Sequence, residues 1–249
     1  MAESRRGGGA PGTVLLLRGD GRYADPWHPF GETAAALAGV LAARGLEVEV
    51  RGDVDRALAE LGAGRVALPG LLVVDVGQPR DGGASPLTEG AAALALIDRA
   101  AVPVLGVHVS STSFGDSPEW AALLGGRWVR GRTMHPEYGT ARIAIEVGHP
   151  ITDGLDDADG LDDTGGLDDT GGLDDFDVED ERYSWLEVAP TARILATHEH
   201  EGERHPVAWA LMREGGGRTV YDALGHDAAS YSSAGHLRLL GRALDWLGV

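Results

Sequence analysis

The chain has 249 residues, 43% of them apolar, a net charge of −18, no cysteine, and arginine as its only strongly basic residue type. Thiolate catalysis, disulfides, cysteine-ligated zinc and Schiff-base lysine chemistry are thereby excluded. The acidic balance disfavours a nucleic-acid partner, although 14 acidic residues lie in 153–181 and the other 25 face 21 arginines.

In chain order, residues 1–12 are rich in Arg and Gly, with no apolar stretch behind them that would read as a signal peptide. They are expected to be a disordered tail. Residues 13–17 read as a buried strand, followed by a Gly/Asp loop carrying Arg18, Asp20, Trp27 and His28. Residues 30–44 repeat apolar and small side chains at helical spacing and stop at Gly45. A strand at 46–50, a short helix at 54–61 and a uniformly apolar strand at 71–76 come next. Ser85-Pro86 is expected to open a helix running to Arg99, with Pro in the first turn. A fourth strand is predicted at 102–107. This alternation specifies an α/β fold with a doubly wound, mostly parallel sheet and helices on both faces. The second half is β-rich, with strands at 142–147, 194–198, 207–212 and 219–221, before an amphipathic helix at 235–247. No Pro/Ser-rich linker divides residues 13–249, so one domain is expected. The longest apolar runs are too short to cross a bilayer, and the expected location is the cytoplasm, away from membranes.

One segment, 153–175, is compositionally foreign. Gly-Leu-Asp-Asp begins at Gly154, Gly160, Gly166 and Gly172, a six-residue period. Leu is its only regular apolar residue, so the copies cannot build the core of a β-helix. The spacing also fails a calcium-binding EF-hand loop. A flexible acidic insertion is expected.

In a doubly wound sheet the ligand site lies beyond the carboxyl ends of the strands, where strand order reverses. Asp20 and His28 follow the first strand, Asp75 and Gln78 the third, His108 the fourth, and His226 the last. Three histidines from distant segments are thus directed to one rim. Gly106-Val107-His108-Val109-Ser110 reads as a strand-to-turn elbow with His108 in the reactive position. The Gly-x-Ser-x-Gly pattern of a serine hydrolase is absent, and Arg18-Gly19-Asp20-Gly21 lacks the length and the Lys of a phosphate-binding loop.

Several stretches together resemble the ThuA-like (trehalose-utilisation) family, a branch of the class I glutamine amidotransferase-like fold. They are His28-Pro29-Phe30, Gly106-Val107-His108, Trp120 leading into Leu124-Gly125-Gly126, His135, and Gly148-His149-Pro150-Ile151 with Gly154-Leu155. Asp180-Glu181-Arg182-Tyr183, Pro206-Val207-Ala208-Trp209 and Gly225-His226 complete the set. The resemblance implies a flavodoxin-like core, with His108 in place of the amidotransferase cysteine, and a link to disaccharide or modified-sugar catabolism. A cysteine-dependent glutaminase is excluded. The acidic repeats separate Gly154-Leu155 from Phe176, which the family joins directly.

On this reading His108, Glu181 and His226 are the candidate catalytic groups, because histidine titrates near neutral pH and a carboxylate partner can share its proton. His28, Asp20, Asp75, His135, Tyr183 and Trp209 are candidate substrate-binding residues, the aromatic pair offering faces to a sugar. A divalent metal is a candidate cofactor at His28, His108, His135 and His226, with Glu181 as a further donor. His149 reads as structural, and His198, His200 and His205 as a solvated hairpin tip. The expected function is sugar isomerase, lyase or hydrolase chemistry on a disaccharide or keto-sugar. The rival is a non-catalytic carbohydrate- or metabolite-binding protein using the same cleft. A homo-oligomer is compatible with the sequence, but no motif encodes one.

Overall fold

The computed structural model describes residues 10–153 and 171–249. The chain runs β1 (Ala10–Arg18), α1 (Phe30–Ala43), β2 (Glu47–Arg51), α2 (Val54–Gly62), β3 (Pro69–Asp75), α3 (Thr88–Arg99) and β4 (Val104–Val107). It continues with α4 (Pro118–Leu124), β5 (Gly126–Arg127), β6 (Gly139–Ile145), α5 (Pro150–Asp153), β7 (Phe176–Asp180) and β8 (Glu187–Val188). A long hairpin, β9 (Arg193–His200) and β10 (Glu203–Met212), leads to β11 (Arg218–Asp222) and α6 (Ala234–Leu247).

Nine strands form one sheet in the order β2-β1-β3-β4-β11-β10-β9-β6-β7. The first five are parallel and the remaining pairings antiparallel. The parallel half has the flavodoxin-like order, reversing direction between β1 and β3. Its central strands are buried on both faces, Leu16, Leu17 and 71–74 being wholly inaccessible, which explains their unbroken apolar runs. Helix α1 presents Phe30, Ala34, Leu37 and Leu41 to the sheet, and α2 presents Val54, Ala57, Leu58 and Leu61, each at helical spacing. Helices α2, α3 and α4 pack together on one face. On the other, α1 reaches α6 through the Arg44–Asp245 ion pair. Ser117 and Ser233 cap α4 and α6 by accepting from the backbone N–H groups of Trp120 and His236. Among the described residues no helix is long and apolar enough to cross a membrane.

Several boundaries depart from the sequence expectation. Strand β1 begins at Ala10, inside the expected tail, because Ala10 pairs with Pro69 across a register shift; residues 1–9 lie outside the described residues. Helix α3 starts at Thr88 rather than Pro86. The Ser85 N–H donates to Asp116 Oδ2 at 3.0 Å, and the Asp116 N–H donates to Ser85 O at 3.1 Å. This pins Ser85 to the segment after β4 before a helix can begin. The Gly-Leu-Asp-Asp repeats at 154–170 lie outside the described residues, but both ends of the expected insertion are ordered. Asp153 closes α5. Asp175 accepts from the Ile145 N–H, and the Leu173 N–H donates to Thr152 O at 2.8 Å.

Candidate metal centre in the cleft

A cleft of about 870 Å³ opens above the carboxyl ends of β1, β3, β4 and β11, with His28, Glu181, Tyr183 and His226 among its lining. Each donor is held by a different part of the chain. In the loop after β1, Asp25 Oδ1 accepts from the backbone N–H of Trp27 and of His28 at 2.9 Å, and the same carboxylate faces His28 Nδ1 at 2.8 Å. The Nδ1 proton is thereby assigned, and Nε2 is left as a bare lone pair.

His108 opens a short 3-10 turn at the end of β4 with a left-handed φ of +42°. A non-glycine residue pays for that conformation in strain. Three bonds hold it there: the Tyr221 O–H donates to His108 O at 2.7 Å, the Trp120 indole donates to Ser110 O at 2.9 Å, and His108 Nδ1 bonds Ala223 O at 2.7 Å. With Nδ1–H spent on that carbonyl, Nε2 faces the Tyr183 hydroxyl at 3.0 Å and Glu181 Oε2 at 3.5 Å.

Glu181 and His226 share a support that the sequence analysis did not assign. Asp180, fully buried, accepts from the N–H groups of Glu181 (2.8 Å), Gly225 (2.7 Å) and His226 (3.3 Å) and from the Ser230 hydroxyl. Three strands separate β7 from β11 in the sheet order, so the antiparallel half curls back to make these contacts. Gly225, at φ +117°, lets the chain pass beneath Tyr231, whose hydroxyl would lie 2.7 Å from a Cβ placed there.

The outcome is a compact donor set. One ligand atom from each of His28, His108, Glu181 and His226 lies within 4.8 Å of every other. Glu181 Oε2 stands 3.5 Å from His108 Nε2 and 3.4 Å from His226 Nδ1. Neighbouring ligands of a tetrahedral zinc with 2.0–2.1 Å bonds are separated by about 3.3–3.5 Å. His28 Nε2 and His226 Nδ1 are buried without a hydrogen-bond partner. Such orphaned atoms are costly unless something fills the space between them.

The four donors differ in their electrostatics. Burial depresses the pKa of His28 against the opposing pull of Asp25, with the neighbouring His108 and His226 adding to the depression. Burial also works against charge on His108, but Glu181 and Asp180 outweigh it and raise its pKa. Glu181 is held far below the usual carboxylate range, because His108 and His226 outweigh its own burial. Tyr183 lies well above its ordinary value, mainly through burial, and keeps its proton.

His135 is on the cleft wall, 3.6 Å from Glu181 Oε1 and partly exposed. It lies outside the close donor set, so of the expected donors His28, His108, His135, His226 and Glu181 it is His135 that the fold does not bring in. Asp75 is buried beneath the cleft, accepting from the Thr33 hydroxyl at 2.6 Å, with its pKa raised to about 7 by burial. Asp20 points outward, where it pairs with Arg18 and caps the turn at 21–23. Trp209 is a core residue whose indole donates to Leu124 O at 2.8 Å. None of these last three lines the cleft. His198 and His205 are not a solvated tip: they pair across the β9–β10 hairpin and are 2% and 3% exposed. The segment 183–185 covers them, the Trp185 N–H donating to His205 Nδ1 and His198 Nε2 bonding Tyr183 O and the Ser184 hydroxyl. His149 accepts from the Ile151 N–H and packs on Trp246, which is a structural placement. Asp25, Trp27, Arg80, Trp128 and Arg130 belong to the cleft and were missed; of these, only the Asp-x-x-His spacing of Asp25 and His28 carried a local signal.

The fold and the cleft define a class: a flavodoxin-like α/β protein with three histidines and one glutamate gathered beyond the carboxyl ends of its parallel strands. Residues 168–247 match the family model ThuA, described as trehalose utilisation. A putative ThuA-like protein from Parabacteroides merdae ATCC 43184 superposes with a TM-score of 0.69 at 17% identity, covering 96% of this chain and 90% of that one. Another from Bacteroides uniformis ATCC 8492 gives 0.68 at 13% identity, covering 99% and 93%. The beta-galactosidase from Rahnella sp. R3 gives 0.54 at 14% identity, covering 94% of this chain and 31% of that one. No curated protein matches the sequence. Residues 168–247 therefore match the ThuA model in sequence, and the chain over its length shares the fold of these two ThuA-like structures.

Proposed function

We propose that this chain is a sugar-utilisation enzyme that holds a divalent, zinc-like ion on His28, His108, Glu181 and His226 and moves a proton on a bound disaccharide or keto-sugar. The observation that carries the reading is the convergence of four donors, with the buried His28 Nε2 left without a hydrogen bond. The sugar assignment draws on the trehalose-utilisation family match and on Trp27 and Trp128, which offer aromatic faces in the cleft. An ion bound there would polarise a substrate oxygen and acidify an adjacent C–H or hydroxyl. Asp25 and Ala223 O orient two of the imidazoles, as supporting groups do around metals. His135, beside Glu181 and open to the cleft, is placed to accept the proton.

A second reading keeps the same residues without an ion. The raised pKa of His108 and the lowered pKa of Glu181 suit an imidazolium–carboxylate pair acting as acid and base. Elemental analysis of protein purified without a His-tag separates the two. One equivalent of metal per chain is expected, lost in His28→Asn with the fold retained by circular dichroism. Zinc at a thousandfold excess over Kd should stabilise the apo-protein by about 4 kcal/mol, or about 8–16 °C in Tm for a chain of this size. No stoichiometric metal, and no shift with zinc, nickel or manganese, overturns the metal reading. NMR of keto-sugars in deuterated water then reads turnover, which His108→Asn should lower by about two to four orders of magnitude. Sugar binding without solvent exchange, isomerisation or cleavage, equal in both forms, would leave a binding protein.

A further inference from the structure

We infer that the sugar derivative carries an anionic oxygen group, a carboxylate or a phosphate, recognised by Arg80 and Arg130; this rests on the reading of the cleft as a sugar site. The two arginines reach the cleft from different segments, Arg80 after β3 and Arg130 after β5. Neither is in an ion pair with a carboxylate among the described residues, although the chain has 39 acidic residues. The two carboxylates that line the cleft, Asp25 and Glu181, are engaged by histidines. Among the described residues no carboxylate contacts Arg80 or Arg130, and a guanidinium without a carboxylate partner is available to an anionic ligand.

Arg80 is also held ready. Its guanidinium lies 4.7 Å from the centre of the Trp27 ring, which is 63% exposed. The Trp27 backbone is fixed by the Asp25 carboxylate that orients His28. On the other side, Arg22 ties down the segment following Arg80 by donating to Asp81 and to Ala84 O. A planar guanidinium stacked on an aromatic face is pre-organised for bidentate binding of a carboxylate or phosphate. Trp27 and Asp25 thus link the anion-binding wall to the donor set.

The test is calorimetric titration of the protein as purified, with its metal content measured, using glucose, glucuronate and glucose 6-phosphate as probes. At least one charged sugar should bind about tenfold or more tightly than glucose, and the comparison of the two charged arms identifies carboxylate or phosphate. Arg80→Gln and Arg130→Gln should each weaken that sugar about tenfold while leaving glucose binding and metal content unchanged. Equal affinity for glucose and both charged sugars, no binding of either charged sugar at millimolar concentration, or indifference to both substitutions overturns the inference. A charged-sugar preference in protein without metal would sink the metal reading alone; metal without that preference would sink this inference alone.

Discussion

Asp180 does not line the cleft, yet it positions two residues that do. Its carboxylate is surrounded by three backbone N–H donors and the Ser230 hydroxyl, an arrangement that an amide cannot reproduce, since one end of the amide is itself a donor. Asp180→Asn should lower zinc affinity about 10–100-fold, as loss of supporting groups does elsewhere, measured by competition with a chromophoric chelator. Unchanged affinity would make Asp180 purely a folding residue. Gly225→Ala acts through sterics and φ together, placing a Cβ against the Tyr231 hydroxyl at φ +117°. It should cost about 1–3 kcal/mol in urea denaturation.

Two elements contain histidines whose titration is linked to stability. In the β9–β10 hairpin, burial lowers the His198 pKa from 6.5 to about 4, only partly offset by its bonds to Tyr183 O and Glu199 O. The folded state keeps this ring neutral, and the unfolded chain takes up a proton first. Stability should therefore fall as pH drops from about 6.5 to about 4. In α6, His236 has the opposite sign. Burial disfavours its charge, but the Asp222 carboxylate at 2.8 Å and Ser230 O outweigh this and raise the pKa to about 9. Its contribution is complete below about 6.5 and is lost as pH rises through about 9. Urea unfolding at pH 5, 7 and 9 should give a maximum near neutrality. His198→Gln should flatten the acid limb, and an unchanged limb would assign it to other groups.

For the molecule as a whole, the acidic repeats are joined at a closed base, the Leu173 N–H donating to Thr152 O at 2.8 Å. Doubling the length of a flexible connection between two fixed points costs only about 0.6 kcal/mol. Deleting residues 156–169 should move Tm by less than about 3 °C, measured by scanning calorimetry. A larger loss, or calcium-dependent stabilisation, would show that the repeats do more than span that base. The net charge of −18 is concentrated in and around this segment, so it gives little information about the cleft, where Arg80 and Arg130 lie.

The sequence by itself determined the parallel half of the sheet, the elbow at His108 and the arrival of His28, His108 and His226 at one rim. Local pattern suffices for these, because a strand covered on both faces must be apolar throughout and the residue after it must sit at its end. What followed from long-range packing had no such signature. His108 is oriented by Ala223, 115 residues away, and Glu181 reaches the histidines only because the antiparallel half curls until Asp180 meets Gly225. The covering segment 183–185 buries His198 and His205, which read as polar tip residues in the sequence. Asp20 and Trp209 were drawn to the site by strand-end position and by family motif. Tertiary structure sent one to an exposed salt bridge with Arg18 and the other into the core against Tyr221. Periodicity reports which face of its own element a residue occupies. Only the pairing of distant strands decides which carboxylates meet which histidines.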